Sequence, residues 1–379
     1  MKKKCCLALV LILLVSFGVN LSAQEVSKKA VKLVNKGDEA LLKKDFGKAL
    51  EAYDKAIEEA PNYALAYFGK GRAYQAQNNL EEALKNLEKA VELDGEAPQP
   101  KNFLAQTLFQ MGGDALKQRQ LEQASGYYLK MLEIPGVNTA QPELTTKALY
   151  QVASIYFMMR KVEEANQYYQ KVLNVPGLDT TDKLMQIQAT YQVGTTFSAL
   201  KQHDKAMEYF LKLLELPELQ AEYNTLYLST LYMVGLNANF ANNMEKSAEY
   251  LAKFLEEAKD SADHAQFMPL ANLLLGSGKM TQLQEEAAKI KDKDKVDKVA
   301  ELAKSKPEIE TYLNKAIELK PELEPAYMHL GNYYYYCNDL QKAIATYKTL
   351  IEKFPTSPDL EQYKKFLADI EKEAQAEKK

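Results

Sequence analysis

The chain has 379 residues, of which 46% are hydrophobic and 26% are charged. This is a globular composition with ample length for a core. Lys and Arg number 48 against 52 Asp and Glu, which gives a net charge of −4 with the two signs interspersed. Because the sequence has no basic stripe, we do not expect a nucleic-acid partner.

Residues 1–23 have the features of an export signal. Lys2, Lys3 and Lys4 form the positive end, and Leu7–Phe17 form an apolar stretch that is short for a membrane span. Leu21-Ser22-Ala23 is the expected cleavage site, with Ser16-Phe17-Gly18 as a weaker alternative. The pattern predicts a periplasmic or secreted protein.

The cysteines argue against a lipid anchor. Cys5 and Cys6 precede the apolar stretch, whereas the cysteine of a bacterial lipoprotein follows it. We expect the mature chain to begin at Gln24 and to lack a stable membrane anchor. Cys337 is then the only cysteine left, so no internal disulfide can form.

Three columns of residues recur at a spacing of 41 between residues 64 and 261. A small column holds Gly71, Gly112, Ala153, Gly194 and Gly235; a second small column holds Ala83, Ala124, Ala165, Ala206 and Ser247; a bulky column holds Leu87, Tyr128, Tyr169, Phe210 and Leu251. A fixed period in this range indicates stacked helical hairpins, which bury their apolar faces only against one another. We expect the small columns to lie at helix crossings and the bulky column to fill the space between hairpins.

A shorter unit occurs at the start of this array, before it, and near the C-terminus. Residues 64–97 carry Tyr67, Gly71, Tyr74, Ala83 and Ala90, and related sets occupy 30–63 (Gly37, Ala49, Tyr53, Ala56, Pro61) and 324–357 (Tyr327, Leu330, Gly331, Tyr334, Ala343, Tyr347, Pro355). These residues resemble the tetratricopeptide repeat family, whose 34-residue pattern has an aromatic residue, Leu-Gly, Tyr, Ala, Phe and Pro in that order. The resemblance covers about 30–357. It implies an all-α, right-handed α-solenoid of about eight helical hairpins.

The resemblance divides the chain after the signal into segments. The array 24–261 contains repeats 30–63, 64–97, 105–138, 146–179, 187–220 and 228–261; 262–323 holds irregular helical hairpins, 324–357 a further repeat, and 358–379 a capping helix and tail. The middle repeats carry seven residues more than the family unit, close to two helical turns, so we expect longer first helices. Pro135, Pro176 and Pro217 should end second helices, while Pro142 and the Thr180-Thr181-Asp182 cluster should begin first helices.

The irregular part is expected to contain two hairpins. The first spans 262–289 with Gly276-Ser277-Gly278 as its turn, and the second spans 290–323, where Ala316 and Pro321 match the family's second helix. Its first helix is charge-rich and weakly patterned, which predicts the weakest packing of the array between 276 and 306.

Residues with possible chemistry form no convincing site. Gly276–Lys279 lacks the first Gly of a phosphate loop and has Met280 where a magnesium-binding hydroxyl would stand. His203, His264 and His329 have no metal-ligand spacing, and His203 and Cys337 are expected to be packed side chains. We therefore expect no metal, no cofactor and no catalytic residues.

A fourth column at the same spacing is aromatic and supplies the candidate binding residues, which we call the ladder: Phe68, Phe109, Tyr150, Tyr191 and Tyr232. At about 100° per residue the ladder lies off the centre of the buried stripe, whereas Tyr74 and Tyr156 should lie on its packed side. In the tetratricopeptide repeat family, this edge of the first helix lines the concave groove that binds partner segments. Gln110, Gln151 and Gln192 follow ladder residues and could supply hydrogen bonds. Alternatively, the rings pack against neighbouring first helices and contact no ligand.

Two functional hypotheses follow. The first is an exported, non-catalytic scaffold that binds a protein or peptide in the groove, and the second is a carbohydrate or cell-wall binder that uses the tyrosines as a stacking surface. The absence of Trp disfavours the second. Val34 and Asp38 stand where the co-chaperone type of clamp has Lys and Asn, so carboxylate capture of that kind is not expected.

Overall fold

The computed structural model describes residues 27–176, 182–291 and 295–376, so the predicted export signal and the Thr180-Thr181 pair lie outside the described residues. The regular elements of the described residues are helices, with one 3₁₀ segment, Ala262–Phe267. The first helices along the chain are α1 (Lys28–Leu42), α2 (Phe46–Glu59), α3 (Ala64–Ala76), α4 (Leu80–Leu93), α5 (Pro98–Lys117), α6 (Leu121–Leu132), α7 (Val137–Ala140), α8 (Pro142–Met158), α9 (Val162–Leu173) and α10 (Lys183–Ala199). They are followed by α11 (His203–Leu214), α12 (Pro217–Glu222), α13 (Asn224–Phe240), α14 (Met244–Glu257), α15 (Met268–Lys289), α16 (Lys295–Lys304), α17 (Glu308–Leu319), α18 (Glu324–Tyr336), α19 (Leu340–Lys353) and α20 (Leu360–Ala376).

The described residues form two compact units, 27–117 with 130–141, and 118–129 with 142–376. In the first unit α1 pairs with α2 and α3 with α4, and α5 packs on α4. In the second unit the pairs are α8 with α9, α10 with α11, α13 with α14, α15 with α17, and α18 with α19. Within each unit, successive pairs contact one another in chain order. The predicted all-α solenoid is thus confirmed.

The turn inside most of these hairpins follows one local rule. A non-glycine residue adopts a left-handed conformation with φ between 55° and 60°, at Lys44, Asn78, Arg119, Arg160, Lys201, Asn242 and Asn338. In several hairpins an Asp or Asn then caps the second helix; the Asp339 carboxylate, for example, accepts the Lys342 N–H at 3.1 Å. The cap satisfies one of the N–H groups that a helix start leaves without a partner.

The two small columns and the bulky column are buried, as predicted. A Cβ atom placed on Gly71 would lie 2.7 Å from Leu87 Cγ, and one on Gly235 would lie 2.6 Å from Leu251 Cγ. Leu87, Phe210 and Leu251 therefore pack onto the glycine of their own hairpins, rather than filling only the space between hairpins. The glycine is needed at these three crossings because an added Cβ atom would lie too close to the bulky residue.

The first helix α5 has 20 residues, seven more than α3, whereas in the hairpins that begin with α8, α10 and α13 the seven extra residues are divided between two places. The first helices α8, α10 and α13 have 17 residues against 13 in α3, so four of the seven lengthen the helix. The others belong to the connections, where α7 and α12 are short additional helices. Pro142 begins α8, and the Asp182 carboxylate caps α10 by accepting the Met185 N–H at 2.9 Å.

The prediction for residues 262–289 is wrong. Gly276-Ser277-Gly278 is not a turn but lies inside the continuous helix α15. A Cβ on Gly276 would lie 2.7 Å from Leu313 Cγ on α17, so Gly276 occupies the glycine position of a hairpin. The hairpin is formed by α15 and α17, and α16 is an insertion between them rather than the first helix of a hairpin across 290–323.

The capping helix is confirmed as α20. Tyr363 and Ile370 are buried, and the Phe366 ring packs edge-on against Tyr347 at 5.1 Å. The Tyr363 hydroxyl donates to a Glu324 carboxylate oxygen at 2.9 Å. One amphipathic face of α20 thus covers the last hairpin and leaves the other face in water. Among the described helices, none is both long and apolar enough to cross a membrane.

Candidate partner-binding surface

The ladder residues do not share one environment. Four of them are half-buried and so keep part of the ring accessible: Phe68, Phe109, Tyr150 and Tyr191. Tyr232 is only 6% exposed. Since a ring must be reachable to bind a partner, only the half-buried four remain candidates.

In the first unit, Phe68 is held by an aromatic and a cationic neighbour. Its ring meets Phe103 edge-on at 5.3 Å, and the Arg72 guanidinium lies 5.4 Å from its centroid. Arg72 also donates to the Asp38 carboxylate at 3.4 Å. The half-buried ring therefore lies beside a cation that is itself partly neutralised.

In the second unit, Tyr150 and Tyr191 pack onto the bulky column of their own hairpins. Tyr150 meets Tyr169 at 5.3 Å with the rings 70° apart, and Tyr191 meets Phe210 at 5.4 Å with the rings 60° apart. These edge-on arrangements are favourable for aromatic pairs. One side of each ring thus contributes to the core of its hairpin.

Polar side chains of the following first helix lie near the hydroxyl groups of the same two tyrosines. Gln192 on α10 lies near Tyr150, and Ser229 on α13 lies near Tyr191. Burial raises the pKa of Tyr191 to about 12 and also raises the pKa of Tyr150, so both groups stay protonated at neutral pH. The packing alternative is therefore realised in part, because each ring packs on its own hairpin and both residues remain half-buried.

Tyr232 is a core residue. Its ring lies between Phe254 at 5.3 Å and Phe267 at 4.8 Å, and Phe267 comes from the 3₁₀ segment that follows the array. The 41-residue column could not reveal this, because Phe267 lies beyond the regular repeats. Tyr232 is therefore withdrawn as a binding residue.

A buried polar network supports this end of the ladder. His264 is only 1% exposed; its Nε2 lies 3.0 Å from the Thr225 carbonyl oxygen and 3.0 Å from Ser229 Oγ. Its Nδ1 lies 2.8 Å from Ser261 Oγ. The network thus joins Ser229, which lies near Tyr191, to the 3₁₀ segment. No sequence column marked Ser229, since Gln188 stands 41 residues before it.

The glutamines differ in the same way as the rings. Gln110 is exposed and its amide donates to Asn78 at 2.8 Å, whereas Gln151 is half-buried and Gln192 lies near the Tyr150 hydroxyl. Tyr74 and Tyr156 were predicted to lie on the packed side of their helices, in contrast to the ladder. This prediction is wrong, because both are half-buried like the accessible ladder residues. Helix angle alone did not separate them because Tyr156 packs on the second-helix residue Tyr168, at 5.5 Å, near the hairpin surface.

The other residues considered for chemistry have structural environments. His203 Nδ1 lies 2.9 Å from Asn237 Oδ1, and burial raises the pKa of the Cys337 thiol. Within the residues that the structure describes, no group of three or more His, Cys, Asp or Glu is placed to hold a metal ion. This surface can supply aromatic area and amide hydrogen bonds.

Family comparisons agree with the hairpin pattern. Models described as tetratricopeptide repeat match residues 40–107, residues 147–175 and 325–357, and residues 187–218. These segments correspond to hairpins in the structure.

Two curated proteins match shorter segments. Small glutamine-rich tetratricopeptide repeat-containing protein 2 of Mycosarcoma maydis is 31% identical over 84 residues, 22% of this chain. The STIP1 homolog of Dictyostelium discoideum is 31% identical over 90 residues, 23% of this chain. The matched segments span 24% and 16% of these two relatives' own lengths.

Solved structures are similar at low identity. YrrB, described as a TPR protein with an unusual peptide-binding site, is 21% identical with a TM-score of 0.36, over 57% of this chain and 96% of that one. The C-terminal part of a TPR repeat-containing protein from Cytophaga hutchinsonii is 16% identical with a TM-score of 0.42, over 78% of this chain and 99% of that one. Neither likeness indicates what this chain binds.

Proposed function

Because this chain belongs to the tetratricopeptide repeat family, we propose that it is an exported, non-catalytic scaffold that binds a protein or peptide along the first-helix faces of its units. These faces carry Phe68 and Phe109 in the first unit and Tyr150 and Tyr191 in the second. Proteins of this family generally mediate protein–protein interactions and are generally not enzymes.

The observation that carries the proposal is the partial exposure of four ladder rings. Aromatic side chains are favoured at binding hot spots because they bury a large area at small entropic cost. Tyr150 and Tyr191 are also held in place in advance by an aromatic contact on one side. A ring already held in place loses little freedom on binding, which favours affinity.

The ladder prediction uses two matched pairs of tyrosines. Tyr150→Ala and Tyr191→Ala should each weaken partner binding by about 2 kcal/mol or more, the range of a hot-spot residue. Tyr168→Ala and Tyr209→Ala, on the second helices of the same hairpins and equally half-buried, should leave binding within about 0.5 kcal/mol of the parent. A partner is first found by photo-crosslinking from position 191 in living cells, and its Kd is then measured for all four variants.

Measuring the stability of each variant separates an effect on binding from an effect on folding. All four variants lose aromatic packing, so their urea midpoints should fall, and binding is compared where each variant remains folded. Equal loss of binding in the second-helix variants would contradict the proposed face. If an isolated glycan competes with binding at Tyr150 and Tyr191 while polypeptides do not, the surface belongs to a carbohydrate binder instead.

The export proposal has its own test. We expect the protein purified from cells to begin at Gln24 and to be released with the periplasmic or secreted fraction without detergent, because Leu21-Ser22-Ala23 has the small residues of a cleavage site. N-terminal sequencing measures this directly. A chain that starts at Met1, or one that stays with membranes after a salt wash, would refute it.

A further inference from the structure

The inserted helix α16 forms one wall of a cavity in the second unit. The cavity has a volume of about 340 Å³ and lies among the end of α15, the start of α16, the end of α18, and α20. This volume is within the range of ligand sites, about 300–1,000 Å³. Insertions into repeats commonly carry binding function. The inserted helix α16 thus lies beside a space that is large enough for a ligand group.

The walls of the cavity are largely aliphatic. Val296 and Val299 come from α16, and Ala287 and Ala288 come from the last turns of α15. Val296 is 61% exposed, so it is an apolar side chain that this fold leaves mostly in water. These four residues offer a surface for an apolar chain of several carbons.

The opposite wall is aromatic and anionic. The rings of Tyr335 and Tyr336 lie 6.4 Å apart at 79°, so their faces meet at nearly a right angle. The Tyr335 hydroxyl donates to the Glu373 carboxylate at 3.3 Å, and Glu373 also lines the cavity. Burial raises the pKa of Tyr335, and the Glu373 and Asp369 carboxylates raise it further, so the hydroxyl remains a donor.

Aromatic faces and a carboxylate attract the same kind of group. A cation near a tyrosine face interacts favourably with the ring quadrupole, and a carboxylate pairs with it directly. Lysine and arginine combine such a head with an aliphatic stem that can lie along apolar surface. We propose that this cavity binds a lysine or arginine side chain of a partner polypeptide, with the stem against Val296, Val299 and Ala288 and the charged head at Tyr335, Tyr336 and Glu373.

This site is separate from the ladder. The inference rests on the proposed function only for its premise that the partner is a polypeptide. Lys295 also lines the cavity and is exposed at the start of α16, where its charge opposes a bound cation. The two charged wall residues therefore give opposite predictions, which makes the chemistry of the ligand testable.

The test uses two small probes on the full mature chain. N-acetyl-lysine N-methylamide carries the stem and the ammonium, and N-acetyl-norleucine N-methylamide has the same stem without the charge. Ligand-observed NMR titration should give a Kd about fivefold lower for the lysine probe, the scale of a cation–aromatic contact. Glu373→Gln should reduce this preference, and Lys295→Gln should lower the Kd of the lysine probe, while the norleucine probe responds to neither change.

Two outcomes would overturn the proposal: equal binding of the two probes, or a Glu373→Gln variant whose preference for lysine is unchanged. Both substitutions lie at exposed positions, so the fold should survive them. Tyr191→Ala serves as the control that separates the sites, since it should leave lysine binding unchanged. Partner binding that Tyr150→Ala and Tyr191→Ala leave unchanged would refute the proposed function alone, and equal binding of the two probes to the unsubstituted chain would refute this site alone.

Discussion

Phe210→Ala is expected to lower the free energy of unfolding by about 3–5 kcal/mol, the usual range for removing a buried phenylalanine. Phe210 is 0% exposed. A Cβ atom placed on Gly194 would lie only 2.8 Å from Phe210 Cε1. Phe210 also supports the Tyr191 ring at 5.4 Å. Removing it would leave a cavity at the crossing of α10 and α11 that a glycine cannot fill. Urea unfolding followed by circular dichroism measures the change.

Phe240→Ala is the matched control in the same unit. Phe240 is 61% exposed and stacks on the His203 ring at 5.1 Å. The same change of side chain should cost less than about 1 kcal/mol there, since little apolar area leaves water on folding. If the two variants had similar urea midpoints, the assignment of the bulky column to the core would be wrong.

The regular part of the fold could be predicted from the sequence because stacking imposes the same requirement on every hairpin. Gly71 and Gly235 are spaced as they are because each must admit a bulky residue of its own second helix, Leu87 and Leu251. Because every hairpin needs a small residue at the same place, small residues recur at equal spacing in the sequence. The caps and Pro residues then set the helix ends locally.

The irregular part could not be predicted in the same way. Gly276 stands 41 residues after Gly235 and continues the column, but Gly278 two residues later suggested a turn. The partner of Gly276 is Leu313, 37 residues on, because α16 intervenes. A long-range pairing across an insertion leaves no period to detect.

The candidate site was predicted in position but not in exposure. The first-helix column gave the ladder, yet Tyr232 is buried by Phe267, which lies outside the repeats. The polar neighbours of Tyr150 and Tyr191, which are Gln192 and Ser229, come from the next hairpin. Exposure of a ring depends on its neighbours in space, and a single column contains no information about them.

Gly276→Val is expected to lower the free energy of unfolding by about 3 kcal/mol, at the upper end of the cost of adding carbons to a packed core. The new Cβ would lie 2.7 Å from Leu313 Cγ, which is the branch point of that side chain and cannot rotate away, and 3.4 Å from the Leu313 nitrogen. The two helices would have to separate. Urea unfolding of the full mature chain measures this loss.

Gly278→Val is the control two residues along the same helix. A Cβ on Gly278 would have Met244 Sδ at 3.9 Å as its nearest neighbour, an ordinary contact with a flexible side chain. Valine and glycine differ by less than about 1 kcal/mol in helix propensity, with valine the better helix former, so the change should be nearly neutral. If Gly276-Ser277-Gly278 were a turn, both substitutions would fall in the same loop and should have similar effects. A neutral Gly278→Val beside a destabilising Gly276→Val therefore distinguishes the continuous helix, with one glycine under Leu313, from a hairpin turn.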